Sequence, residues 1–307
     1  MDDIRIKFRE MLESISLPDN DNNPIQGIES IQNLLLTNTP KRLFRYRPFN
    51  ENSLSAFLHD EIWASKPDTF NDPYDSYPGV DLIEIVAALD GYLGKEVREK
   101  ILPTDVLLKL LIEAFQDVVN VGSINNIACF SENDNSSLMW AHYADSYKGF
   151  VLEYNFTEIN GLCQVVCEKR DLKKCNKFEM AYPLFPVIYD EKKFNAIIHF
   201  LWFILDKSCT KDKFMKPDIL ISIKPFLYKN KTWEYEKEWR LLTEINPKSV
   251  IKPKAVYITD KISKINRYVI EKIANDKNIP VKLMELNLFD LKYVLIEKPL
   301  TQITKHN

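Results

Sequence analysis

The chain has 307 residues, a formal net charge of −3, and 45% hydrophobic against 28% charged residues, the balance of a folded globular protein without the basic excess of a general nucleic-acid binder. Only 7 residues are glycine and the closest pair is Gly91 and Gly94. Neither G-x-G-x-x-G nor G-x-x-x-x-G-K-[ST] can be written, which excludes a phosphate cradle of the Rossmann or P-loop type.

In chain order, apolar residues at helical spacing predict two amphipathic helices within residues 1–36, one carrying Ile4, Phe8, Met11, Leu12 and Ile15, the other Ile28, Ile31, Leu34 and Leu35. Pro18–Pro24 between them reads as a polar loop. A strand is expected at Leu43–Arg47, a helix capped by Asn52 or Ser53 and ending near His59, and a strand at Glu61–Ser65. Lys66–Pro78 holds three prolines and reads as a loop. Residues 81–120 form a helical block. Ile124–Phe130 is strand-like, Ser136–Asp145 a short helix and Phe150–Tyr154 a strand. One or two strands are expected within 163–189, and two helices within 191–228, the second starting at Pro217. Glu236–Glu244 alternates as a strand. The tail predicts a strand (255–259), a helix (263–275) and strands at 281–286 and 293–297. This mixed order predicts an α+β fold in one compact domain, with a mixed or antiparallel sheet, split or continuous. The first 36 residues read as a helical extension; residues 37–307 form the main domain, with helical insertions at about 81–120 and 191–228.

Five cysteines (Cys129, Cys163, Cys167, Cys175 and Cys209) match no zinc spacing. The N-terminus lacks a signal-peptide core, and the longest apolar run, Ala196–Leu205, is about half of the roughly 20 residues a bilayer requires. A cytoplasmic chain with reduced thiols and no membrane partner is expected.

Four clusters could carry chemistry. Lys41–Arg47 gathers Arg42, Arg45 and Arg47. Alternation puts Arg45 and Arg47 on one face of a strand, with Phe44 and Tyr46 on the other. It is either an anion clamp, since the guanidinium fork fits phosphate or carboxylate, or a solvated strand face. Phe70-Asn71-Asp72-Pro73-Tyr74-Asp75 is a rigid turn, a pocket-lining loop or a carboxylate source for a metal. In the third, Ser131 ends an apolar strand, and Met139, Trp140 and Tyr143 are either core or an aromatic wall for a flat ring. His142 is a candidate base there, and no hydrolase triad can be completed. In the fourth, Trp233 to Arg240, strand alternation places Glu236, Glu238 and Arg240 together: a paired-carboxylate site or a solvent-facing strand.

Taken together, Phe44-Arg45-Tyr46-Arg47, Phe70–Asp75, Ala128-Cys129-Phe130-Ser131, Met139-Trp140-Ala141-His142-Tyr143, Lys148-Gly149-Phe150 and Tyr235-Glu236-Lys237-Glu238-Trp239-Arg240 resemble the bacterial domain-of-unknown-function family 2971 over about residues 40–300. The order of elements is also distantly similar to the ADP-ribosyltransferase fold. That similarity implies NAD as ligand, with Arg45 or Tyr46 on a first strand holding the cofactor and Ser131 near the nicotinamide. Glu236-Lys237-Glu238 would then be the glutamate motif, Glu238 catalytic and Glu236 orienting the acceptor or activating water. Arg45 or Arg47 would hold the pyrophosphate, and Trp140 or Tyr143 would cover the ring; Asn71, Asp72 and Arg240 complete the cofactor-binding set. The implied activity is an ADP-ribosyltransferase or NAD glycohydrolase, as a toxin or anti-phage effector, with a protein, nucleic-acid or small-molecule acceptor. Two readings compete: a metal-dependent nuclease or phosphoesterase holding Mg²⁺ on Asp72, Asp75, Glu236 and Glu238, and a non-catalytic binding or regulatory protein.

Overall fold

The computed structural model describes residues 3–14, 24–124, 126–157, 184–208, 223–243, 248–287 and 295–299. Three expectations lie outside them: the loop after Pro18, the strands within 163–183 with their cysteines, and the helix beginning at Pro217. The chain divides into two compact units, one of Met1–Leu35, Lys66–Asn126 and Pro186–Trp233, the other of Leu36–Ser65, Ile127–Phe185 and Glu234–Asn307. The α+β reading with a mixed sheet holds. The first unit takes in residues 1–35 together with 66–126 and 186–233, the two stretches that contain the expected helical insertions.

In the first unit, helix α1 (Asp3–Ser14) turns Phe8 and Leu12 inward. Its Arg5 Nε donates to the Val187 carbonyl at 3.2 Å, and Arg9 pairs with Asp190 at 2.6 Å. Helix α2 (Pro24–Asn38) follows and runs into the second unit. The block after residue 80 forms three helices, α4 (Leu82–Leu93), α5 (Lys95–Ile101) and α6 (Thr104–Ile124), with α8 at Ile197–Ser208. Ile85, Leu89, Leu102, Leu107, Leu111, Ala114, Phe200 and Ile204 make its core. Strands β6 (Ile188–Asp190) and β7 (Tyr228–Asn230) pair in parallel. Among the described residues no helix is long and apolar enough to cross a membrane.

The second unit is built on strands β1 (Leu43–Arg47), β3 (Asn126–Ser131), β4 (Phe150–Tyr154), β5 (Leu184–Pro186), β8 (Glu238–Thr243), β10 (Ala255–Thr259), β11 (Val281–Leu286) and β12 (Leu295–Pro299). They form one eight-stranded sheet in the order β12-β11-β10-β4-β1-β3-β8-β5. β1 is antiparallel to both β3 and β4. β10 and β11 are parallel, joined across helix α9 (Lys264–Asp276). A short antiparallel pair, β2 (Glu61–Trp63) with β9 (Lys248–Val250), is separate. Helix α3 (Glu51–Leu58) is capped by Asn50, whose side chain accepts from the Ser53 amide at 2.9 Å, rather than by Asn52 or Ser53.

Period-two alternation sorts β1. Phe44 and Tyr46 join Met139 and Trp140 of helix α7 (Ser137–Tyr143), Val151, Tyr257 and Met284 in one core cluster. Across the antiparallel pairs, Phe44 lies opposite Ser131 and Glu153, whereas Arg45 lies opposite Leu152 and Arg47 opposite Phe150. Opposed residues share a face, so Arg45 and Arg47 point to the face away from Phe44, Tyr46 and Ser131.

Candidate active site

The site is built where β3 ends. Ser131, 1% exposed, donates its hydroxyl to the Glu236 carbonyl at 2.5 Å and accepts from the Asn133 amide at 3.0 Å. Asn133 Nδ2 donates to the Tyr235 carbonyl at 2.9 Å, and the Tyr46 hydroxyl to the Asn133 carbonyl at 2.7 Å. The last residues of β3 are thus pinned to the turn that opens β8.

That turn interrupts the alternation read from Trp233 and starts the expected Glu236–Glu244 strand two residues later. Residues Lys231–Glu236 form a 3₁₀ turn, Lys237 has φ 44°, and β8 begins only at Glu238. A left-handed residue between them ends the alternation, so Glu236 and Glu238 are not consecutive positions on one strand face. Their environments differ accordingly. Glu238 is held by Arg240, Nε to Oε1 at 2.8 Å and Nη2 to Oε2 at 3.2 Å, with Arg240 wholly buried. Glu236 is also buried, but its Oε1 accepts from the Tyr143 hydroxyl at 2.6 Å.

Helix α7 supplies the wall. Ser136 caps it through the Met139 amide. Trp140 is fully buried, edge-on to Tyr46 at 5.5 Å between ring centroids, with its Nε1 donating to the Asp134 carbonyl. It is core, not a surface for a ligand ring. Tyr143 is half-buried and His142 exposed. The His142 ring lies 6.3 Å from that of Tyr143 and 6.4 Å from that of Tyr235. Tyr143, His142 and Tyr235 form an aromatic rim over Glu236. The helix then ends in three successive left-handed residues, Asp145, Ser146 and Tyr147, with φ 49°, 53° and 72°. Such conformations each cost on the order of 1 kcal/mol and are tolerated where the surroundings dictate them. Gly149 follows because a Cβ there would meet backbone of Arg47 and Ala144. Burial raises the pKa of the Tyr46 phenol well above its usual value, so it stays a donor at neutral pH.

Sequence reasoning passed over Asn133 as the link between Ser131 and the turn. It lies just beyond the matched Ala-Cys-Phe-Ser, where only tertiary contacts reveal it. Tyr235 was legible within the motif, but as an apolar strand position rather than a rim.

Arg45 and Arg47 leave from the other side of the sheet. Arg45 is 9% exposed, donates to the Trp63 carbonyl and lies 5.6 Å above the Phe130 ring. Asn71 and Asp72 belong to the first unit. There Asp72 Oδ1 accepts from the Tyr74 amide at 2.8 Å, fixing the turn, and Asp75 pairs with Lys229 at 3.5 Å. Among the described residues no group of three or more His, Cys, Asp or Glu is disposed to hold a metal ion.

No curated protein and no solved structure matches the chain. A family model matches residues 139–241, the stretch that runs from α7 into β8 and leaves Arg45, Tyr46 and Ser131 outside it. Over those residues the chain is similar to the protein-of-unknown-function family DUF2971.

Proposed function

We propose that the second unit uses NAD as an ADP-ribosyltransferase-like transferase or glycohydrolase. The observation that carries this reading is the adjacency of three central strands, β1, β3 and β8, with Tyr46, Ser131 and the Glu236 turn joined by hydrogen bonds at their ends. On this reading Tyr46, rather than Arg45, is the first-strand residue, because it shares a face with Ser131.

The chemistry follows from the leaving group. The bond between ribose C1′ and the nicotinamide nitrogen breaks, its electron pair goes to nicotinamide, and the sugar passes through an oxocarbenium-like state. A carboxylate held against the ribose stabilises that charge. Glu236 is the better candidate for this role. Both oxygens of Glu238 are engaged by Arg240, whereas Glu236 sits under the Tyr143–Tyr235 rim, where a flat nicotinamide can stack. The acceptor, or water, then attacks C1′ and its proton passes to Glu236. Glu238 with Arg240 keeps the strand behind it rigid.

The test is incubation of the full chain with labelled NAD, alone and with lysate, following free nicotinamide and labelled product. Glu236→Gln is expected to lower turnover about 10²–10³-fold. Wild-type turnover in Glu236→Gln would remove the carboxylate from the chemistry. NAD left intact by the wild-type chain under both conditions would sink the reading itself.

A further inference from the structure

We propose that Arg45 and Arg47 form a phosphate-binding site on the sheet face opposite Ser131, separate from the NAD site proposed above. The argument begins with charge. Two adjacent guanidiniums leave one face of β1, and neither has a carboxylate partner among the described residues. Arg45 has the Trp63 carbonyl and the Phe130 ring. Arg47, half-buried, has no hydrogen bond or ion pair among the described residues.

The carboxylates nearby are taken. Glu153 is on the other face, opposite Phe44, where it meets Arg42 at 3.1 Å, the Tyr257 hydroxyl at 2.5 Å and Lys282 at 3.8 Å. Asp60, whose field reaches Tyr154, is paired with Lys277 at 2.9 Å. Among the described residues the Cys129 thiol and the Tyr154 phenol also act on Arg45, and the phenol acts on Arg47. Burial raises the Tyr154 pKa to about 12, so that phenol is neutral and offers no countercharge. The arginines feel the deficit: burial, then the field of Arg47, brings Arg45 down to about 10, and burial lowers Arg47 as well.

Both remain charged at neutral pH, so this face carries two positive charges in a poorly solvated place. Uncompensated buried charge is costly and selects for an anion. A phosphate monoester or inorganic phosphate bears about −1.5 to −2 at pH 7, which matches the two guanidiniums, and its oxygens suit the Arg47 fork. Arg47, the more exposed of the two, makes the contact; Arg45 is fixed to Trp63 and contributes field.

The experiment uses the full chain and inorganic phosphate, with acetate and chloride at equal ionic strength, followed by thermal unfolding and titration calorimetry. Phosphate is expected to bind saturably and raise the unfolding midpoint more than acetate or chloride. Arg47→Gln should weaken it about tenfold or more, while Arg42→Gln, on the opposite face, leaves it unchanged. Arg47→Met should raise the midpoint in the absence of phosphate, because it removes a charge that lacks a partner, and should abolish the response. Phosphate binding retained in Arg47→Gln, or phosphate no better than chloride, overturns the proposal. NAD supplies the separating arm. If NAD protection disappears in Arg47→Gln and survives Tyr46→Phe, the arginines belong to the NAD site and the separate site is refuted. Loss with Tyr46→Phe alone supports two sites.

Discussion

Replacing Glu238 by Gln tests the division of labour between the two glutamates. Arg240 is 0% and Glu238 4% exposed in their side chains, so the pair sits where water cannot substitute for a lost partner. Gln keeps the shape and one acceptor but leaves the guanidinium charge buried beside a neutral amide. Breaking one partner of a buried pair costs about 3–5 kcal/mol; with one of the two contacts at 2.8 and 3.2 Å retained, we expect about 3 kcal/mol. At a urea slope of about 3 kcal/mol/M this moves the unfolding midpoint down by about 1 M. Trp140 and Trp239 are both buried in this unit, so tryptophan fluorescence follows its unfolding. The double change Glu238→Leu with Arg240→Met removes both charges and should recover much of the loss. A single-variant loss below about 1 kcal/mol, or a double variant no more stable than the single, would refute the buried-pair argument. The same variant separates structure from chemistry. Glu238→Gln should lose activity in proportion to the folded fraction, whereas Glu236→Gln should stay folded and lose turnover.

Three further outcomes are expected. Gly149→Ala should cost about 3 kcal/mol or prevent folding of the second unit, because its Cβ would lie 2.9 Å from the Ala144 carbonyl carbon and oxygen as well as against the Arg47 carbonyl, all backbone; urea denaturation measures it. His199 is buried, with Asp117 Oδ2 3.4 Å from Nε2 but neither ring nitrogen hydrogen-bonded. Burial lowers its pKa from 6.5, and Asp117 offsets only part of this. Stability from the neutral ring is therefore complete above pH 6.5 and is lost as pH falls through the depressed folded value. Unfolding curves at pH 7.5 and 5.0 should show that loss in the wild type and a smaller one in His199→Leu. Tyr143→Phe removes only the hydroxyl that holds Glu236, on a half-buried ring. It should keep the unfolding midpoint within about 1 kcal/mol and lower NAD turnover about tenfold or more; unchanged turnover would take Tyr143 out of the site.

Much of this was legible in the chain. The helices at 81–120 and 263–275 follow from apolar residues recurring at helical spacing, and the two faces of β1 from strict alternation in Leu43–Arg47. The 3₁₀ turn was not legible, because Trp233 to Glu244 alternates as cleanly as a real strand and nothing in a lysine announces a left-handed backbone at 237. Asn50 does not stand out as the cap in the sequence because Asn52 and Ser53 are equally good cap residues, and the choice depends on where β1 releases the chain. The two-unit division depends on contacts between segments that are distant in the chain. Which face Ser131 shares is a matter of register between β1 and β3, a quantity that no local pattern carries.

Register is what separates the two chemistries. A strand in the middle of a sheet, covered on both faces, is ordinarily apolar throughout. β1 instead carries Phe44 and Tyr46 into the packed face beneath α7 and sends Arg45 and Arg47 to the other. The aromatic face needs no ligand to explain it: its rings pack edge-on and its hydroxyl reaches a carbonyl. The arginine face has no such internal explanation. Buried ionic groups contribute little to stability over hydrophobic residues of similar size even when paired, and these two have no carboxylate among the described residues. A side chain that the fold would be as stable or more stable without points to something outside the chain. For Arg47 the chemistry asks for an anion with at least two oxygens, whichever molecule carries it. The aromatic face and the arginine face can therefore be tested independently, since a substitution at Tyr46 leaves the guanidiniums in place and one at Arg47 leaves the Ser131–Glu236 turn untouched.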